Sequence, residues 1–166
     1  MCIPFRATLV ALLFAVLLPA PARVAAQMEA FGDPARLVGA APLAVRAVVE
    51  WDELITETAG GATEDQFHQA VIETFEASLG EMGVPVDDAA ERMLVCRVET
   101  FYNSGSIAFA ARVEFHEPFG RPGQTAITWH RTWIGTTSVQ GMHLLFRIGE
   151  QCAEDFAEAW RAANPG

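Results

Sequence analysis

The stretch Met93-Leu-Val-Cys-Arg-Val-Glu-Thr-Phe-Tyr-Asn-Ser-Gly-Ser-Ile-Ala-Phe-Ala-Ala-Arg-Val-Glu-Phe-His116 decides the fold. Two runs of alternating apolar residues meet at Ser104-Gly105, which is typical of a β-hairpin with a two-residue loop. A loop one residue longer or shorter would put the two apolar sets on opposite faces, so pattern and turn predict one register. The predicted pairs are Leu94 with Phe115, Cys96 with Val113, Val98 with Ala111 and Thr100 with Phe109.

Two further strands and two amphipathic helices surround the hairpin in the sequence. The segments Leu43 to Trp51 and Thr125 to Thr136 alternate as strands do. Thr63-Glu-Asp-Gln66 has the pattern of a capping box, and apolar residues then recur every three or four positions to Met82. A second apolar stripe predicts a final helix from about Met142 to Ala163.

The predicted order of elements is β-α-β-β-β-α. Each strand has one apolar face, so both helices are expected on the same side of the sheet. We therefore predict an α+β fold, a two-layer sandwich in which two helices cover one face of a four-stranded, mostly antiparallel sheet. The position of the first strand in that sheet stays open. Polar residues at the opposite positions predict a solvated second face: Arg46, Glu50, Arg97, Glu99, Arg112, Glu114 and His130.

The amino-terminal 26 residues have the pattern of a signal peptide. A short apolar run, Ala7 to Leu18, follows one positive charge, and Val24-Ala25-Ala26 supplies small residues for cleavage. The run is shorter than the ~20 residues that a spanning helix needs, although an uncleaved anchor remains an alternative. We predict a periplasmic or secreted protein, with residues 27–42 as an N-terminal arm or linker and residues 43–164 as a single domain.

The charge of the chain restricts its partners. The formal net charge is −10, and removal of Arg6 and Arg23 with the signal would leave nine Arg against 21 acidic residues, a net charge of −12. No segment concentrates positive charge, so nucleic acid and anionic lipid are disfavoured as partners. The chain has no Lys, which excludes lysine Schiff-base chemistry and the phosphate-loop lysine.

No sequence motif points to an active site, a cofactor or a metal. The nucleophile elbow, the zinc-protease motif, the phosphate loop and the dinucleotide fingerprint are all missing from the sequence. Matching apolar faces predicts Val113 opposite Ile127 and Ala111 opposite Trp129. In that register His130 lies about 20 Å from His116, too far to share an ion. We therefore assign no catalytic, cofactor-binding or metal-binding residue.

Cys96 and Cys152 are the two cysteines that follow the predicted signal. Strand period places Cys96 on the helix-facing side of the sheet, and helical period places Cys152 on the sheet-facing stripe of the last helix. In an exported protein this arrangement predicts a disulfide, which would stabilise the fold by about 4 kcal/mol if the entropy of loop closure is counted. Two buried free thiols are the alternative.

Trp129-His-Arg-Thr-Trp133 contains a local conflict. Strand period puts Trp129, Arg131 and Trp133 on the buried face, where an unpaired guanidinium would be costly. In one interpretation, Arg131 reaches an acid at the helix edge, such as Asp155 or Glu158. In the other, the three residues form a partner-binding surface, because these residue types are enriched at binding hot spots.

Three segments resemble the small periplasmic α/β domains of bacterial envelope-assembly factors. They are the strand Val45-Arg-Ala-Val-Val-Glu-Trp51, the helix Phe67 to Leu79 with Leu79-Gly-Glu-Met-Gly-Val84 after it, and the hairpin from Leu94. Domains of this kind occur in lipopolysaccharide-assembly lipoproteins, curli-secretion factors and Tol-associated N-terminal domains. The resemblance implies a non-enzymatic binding or assembly role toward a protein or envelope component, and it supplies no catalytic residues.

Two other functions remain open at this point. A small secreted hydrolase could use His68, His143 or acids of the loops. A cystatin-like inhibitor would also place a helix against a sheet, although Ser138-Val-Gln-Gly141 does not match the inhibitory loop of that family. The oligomeric state is not predicted.

Overall fold

The computed structural model describes residues 28–59 and 62–165. The predicted signal peptide, residues 1–26, lies outside the described residues. The elements in chain order are β1 Met28–Gly32, a 3-10 helix Pro34–Leu37, β2 Ala44–Glu50, α1 Glu53–Ala59, α2 Glu64–Glu81, β3 Met93–Asn103, β4 Ser106–Pro118, β5 Thr125–Ser138, a second 3-10 helix Val139–Arg147 and α3 Ile148–Ala163.

β3 and β4 form the predicted hairpin in the predicted register. Cys96 pairs with Val113, and Arg97 with Arg112. Ser104 and Gly105 have φ values of 48° and 89°. Positive φ at both loop residues is typical of a type I′ turn, whose twist matches that of the paired strands. The apolar side chains of both strands therefore lie on one face of the sheet.

The sheet has five strands in the order β1-β5-β4-β3-β2, one more than predicted. The additional strand, β1, lies in the segment predicted as an arm or linker, and it pairs antiparallel with β5. Its sequence, Met28-Glu-Ala-Phe-Gly32, does not alternate between apolar and polar residues as strands with one buried face do. β2, whose position was left open, pairs parallel with β3. The α+β class is confirmed, and the sheet is mostly antiparallel.

The predicted register of β5 on β4 was wrong by four residues. Ala111 lies opposite Trp133 rather than Trp129, and Val113 lies opposite Arg131 rather than Ile127. β4 continues to Pro118, closer to the loop than the apolar pattern indicates. Between Ser106 and Phe115 the displacement is even, so Trp129, Arg131 and Trp133 keep the face that the period predicts. A register shift between Phe115 and His116 places Ile127 opposite His116, where it is 43% exposed.

Two helical segments differ from the predicted elements. The connection between β2 and α2 includes α1, which was not predicted. The final helix was predicted from Met142, but the chain forms a 3-10 helix as far as Arg147 before α3 begins. In the described part of the chain every helix is too short or too polar to cross a membrane.

The predicted disulfide between Cys96 and Cys152 is present at the centre of the core. Both cysteines are 0% exposed, and their Cα atoms lie 6.0 Å apart. The bond joins β3 to α3 and thereby links the two layers of the sandwich covalently. Large buried side chains from both layers pack in the same core: Phe67, Phe75, Leu79, Leu94, Phe115 and Phe156.

The edge of the sheet at β2 is partly covered by bonds from the same chain. The Leu43 carbonyl accepts from the Asp87 amide at 2.9 Å, and the Val45 carbonyl accepts from Arg46 at 2.6 Å. His68 of α2 lies 3.1 Å from the Ala47 carbonyl oxygen. Carbonyls on this edge are therefore less available for pairing with another strand.

α2 and α3 approach each other closely at Gly149, in the first turn of α3. A Cβ atom added at this position would overlap the carbonyl oxygen of Val71 and the Oγ1 atom of Thr74. Real Cβ atoms do not approach backbone oxygens this closely, so the packing of the two helices requires glycine here.

We expect Gly149→Ala to lower the free energy of unfolding by about 1–3 kcal/mol, because the helices must separate to admit the methyl group. Gly80→Ala is the matched control, since Gly80 is exposed in α2 and a Cβ atom added there would meet nothing within 4 Å. That control should be neutral or stabilising by up to ~1 kcal/mol. Urea unfolding of both variants measures the difference, and equal effects would contradict the packing argument.

Candidate functional site

The predicted partner-binding residues of β5 lie on the helix-facing side of the sheet. Trp129 and Trp133 are 2% and 7% exposed and belong to the core. Arg131, between them, donates to Asp155 at 3.3 Å and to Glu158 at 2.8 Å, both on α3. The structure thus pairs Arg131 with both acids that the first interpretation named. Partner binding through these three residues stays a prediction.

The two carboxylates that contact Arg131 have different environments. Burial raises the pKa of Asp155, and the attraction of Arg131 offsets only part of that effect. The hydrogen bond and charge of Arg131 lower the pKa of the exposed Glu158. Burial would lower the pKa of Arg131 itself, but the bonds and charges of both acids raise it above its ordinary value. Glu158 is therefore the acid whose ionisation this ion pair favours.

A cluster of charged side chains lies on the face of the sheet opposite the helices, which we call the outer face. Glu114 is only 1% exposed, although we predicted it as part of a solvated face. One carboxylate oxygen lies 3.3 Å from Arg112 Nη1 and 3.5 Å from Arg97 Nε. The other lies 3.0 Å from His116 Nε2. The prediction was wrong because these three neighbours take the place of water around the carboxylate.

The same contacts control the ionisation of Glu114. Burial alone would raise its pKa, since desolvation penalises the charged form. The hydrogen bond from His116 and the charges of Arg97, His116 and Arg112 oppose this effect, and the pKa lies below its ordinary value of 4.5. The cluster therefore holds a buried carboxylate in its ionised form.

His116 and His130 lie closer together than the predicted register indicated. His130 pairs across the strands with Glu114, two residues from His116. The distance argument against a shared ion was therefore wrong, because it used the incorrect register. Within the described residues, no three or more His, Cys, Asp or Glu side chains are arranged to hold a metal ion. The His116 ring contacts Glu114 and Thr125, and the His130 ring stacks on Phe31 with centroids 5.2 Å apart.

An apolar groove lies beside this cluster on the outer face. Its walls are Phe101 of β3 and Ile134 of β5, which are 62% and 52% exposed. Its floor is Ala108 and Ala110 of β4, the strand between them. The groove encloses about 340 Å³, and Glu50 and Glu99 also line it. We missed this surface, although strand period already places Phe101 and Ile134 at outer positions.

The fold is similar to that of PelC, a protein whose solved structures are dodecamers. No protein-family model and no curated protein matches the chain. The PelC dodecamer from Paraburkholderia phytofirmans, in space group P6, is 16% identical, with a TM-score of 0.51 over 81% of this chain and 96% of PelC. A PelC dodecamer with methionine in place of one leucine is 13% identical, with a TM-score of 0.50 over 79% and 96%. At these identities the similarity concerns the fold alone.

We expect Trp133→Ala to lower the free energy of unfolding by about 3–5 kcal/mol, because it leaves a cavity in the core. Leu54→Ala, at an exposed position of α1, should change it by about 0.5 kcal/mol or less. Thermal unfolding of both variants provides the comparison. If Trp133 instead serves mainly to bind a partner, its replacement should leave the melting temperature nearly unchanged.

We expect Glu114→Gln to lower the free energy of unfolding at neutral pH by about 1.5–3 kcal/mol, because three donors lose a charged acceptor. The folded-state pKa of Glu114 is below 4.5, so ionised Glu114 stabilises the fold above that pH. This contribution is lost as the pH falls through the lowered pKa.

The stability difference between the natural protein and Glu114→Gln should therefore shrink below pH 4.5. Urea unfolding across a pH series measures it. Glu76→Gln is the matched control, since Glu76 is an exposed acid on α2, away from the cluster. A difference that stays constant into strong acid would contradict the role given to the Glu114 charge.

Proposed function

We propose that the protein is an exported, non-enzymatic envelope-assembly domain that works as an oligomer. The observation that carries the proposal is the fully buried disulfide between Cys96 and Cys152, which connects the two layers of the fold. Structural disulfides persist in oxidising compartments and are rare in the bacterial cytosol. A core built around such a bond therefore suits a protein that folds after export to the periplasm or outside the cell.

The signal-peptide pattern of residues 1–26 supports the same location. The pattern and the disulfide are independent, because one concerns the amino-terminal segment and the other concerns side chains 56 positions apart in the folded domain. Export is the common explanation of both.

The shared fold with PelC supports the oligomeric part of the proposal. Both PelC structures are dodecamers, and they align with about four-fifths of this chain. In the part of the chain that the structure describes, no helix covers the outer face, and Phe101 and Ile134 are exposed there. Exposed apolar groups that lie together on a soluble protein mark interaction sites.

The contacts of the polar side chains support a binding role over catalysis. Arg131 is held by two acids of α3, and Glu114 by three neighbours on its own sheet. His68 contacts a backbone carbonyl of β2. These groups bond to the protein itself, whereas the groove on the outer face offers apolar walls to a partner. A protein or another component of the cell envelope is the class of partner that we propose.

We expect the full chain, produced in a bacterial host, to be recovered outside the cytoplasm with residues 1–26 removed. Intact-mass spectrometry after thiol labelling should show a chain that begins at Gln27 and carries no label, because both cysteines are bonded. The matched control is the same chain without residues 2–26, which should stay in the cytoplasm and accept label when denatured. Cytoplasmic retention of the full chain, or two labelled thiols, would contradict the export proposal.

A further inference from the structure

The apolar groove of the outer face places large and small side chains side by side. Phe101 lies opposite Ala108 and Ile134 lies opposite Ala110, so the two large side chains stand on either side of the alanines of β4, two residues apart along the strands. A facing sheet with the same relief can place a large side chain over these alanines. A contact of this kind joins two identical surfaces around a two-fold axis.

We propose that the outer face binds the outer face of a second copy of this chain, with the apolar groove of each copy packed against that of the other. The inference rests on the oligomer proposed above and names one of its contact surfaces. Two sheets pack face to face about 10 Å apart when side chains interdigitate. The second copy would then cover the outer face of the sheet, just as the helices cover the inner face.

The distribution of charge favours this face over the helical side. α2 carries Glu64, Asp65, Glu73, Glu76 and Glu81 and has no Arg, so its exposed surface is acidic. Along α3, Glu150, Glu154, Asp155 and Glu158 accompany a single Arg161. Copies that approach through their helices therefore bring like charges together, which is unfavourable.

Both signs of charge occur around the groove. Glu50 and Glu99 line it, while Arg97 and Arg112 occupy the next outer positions along β3 and β4. Arg97 and Arg112 are 31% and 38% exposed as side chains, so each keeps part of its guanidinium accessible. Two copies related by a two-fold axis can therefore set acids of one against arginines of the other. Opposite charges beside an apolar centre are the usual arrangement of a specific interface.

Light scattering after size exclusion tests the inference on the purified exported protein. The double variant Phe101→Glu with Ile134→Glu should have about half the mass of the natural protein or less, because each copy loses its two-fold contact. Ala110→Trp fills the floor of the groove and should have the same effect through steric exclusion. Circular dichroism and thermal unfolding check that both variants remain folded.

The matched control replaces two exposed apolar residues outside the groove, Leu54→Glu with Leu144→Glu, which are 49% and 55% exposed in the natural protein. This variant should keep the natural mass. An equal loss of mass in the control would overturn the inference, because association would then depend on apolar exposure in general.

Natural mass in both groove variants would overturn the inference and leave the oligomer proposal intact. A natural protein that is monomeric at every concentration would overturn both. The two failures are therefore distinguishable in one series of measurements.

Discussion

The two-residue turn between β3 and β4 constrains the rest of the structure. Because side chains alternate along a strand, the turn fixes which residues of both strands face the helices. Cys96 thereby reaches α3 and forms the disulfide, and Arg97, Phe101 and Glu114 are directed to the outer face. A turn with one more residue would put the apolar side chains of β3 and β4 on opposite faces of the sheet. The covalent link in the core and the exposed groove thus depend on the same local geometry.

The outer face shows how a charged group can be buried on an uncovered sheet. Glu114 loses its contact with water, and Arg97, Arg112 and His116 supply the charge and hydrogen bonds that compensate for it. Arg131 on the opposite face follows the same rule with the signs of charge reversed. In both clusters, neighbours of opposite charge stabilise the ionised form of the central residue, Glu114 or Arg131.

Local signals in the sequence predicted local structure well. The hairpin register, the capping box of Thr63 with Gln66 and the pairing of the two cysteines follow from turn chemistry and period. β1 could not be found in this way, because its five residues do not alternate between apolar and polar side chains. The register of β5 was wrong because an even displacement satisfies the apolar pattern equally well. The burial of Glu114 depends on the positions that the side chains of Arg97, Arg112 and His116 take around it, and strand period does not determine those positions.

β1 pairs with β5, and the first partners along the chain, Met28 and Trp133, are 105 positions apart. Contacts between distant segments form late, because the intervening chain must be ordered before they become favourable. In a chain that is threaded through a membrane amino terminus first, the earliest strand to emerge must wait for almost the last one. In such a chain, completion of the sheet waits until β5 has emerged, because β5 is the strand with which β1 pairs.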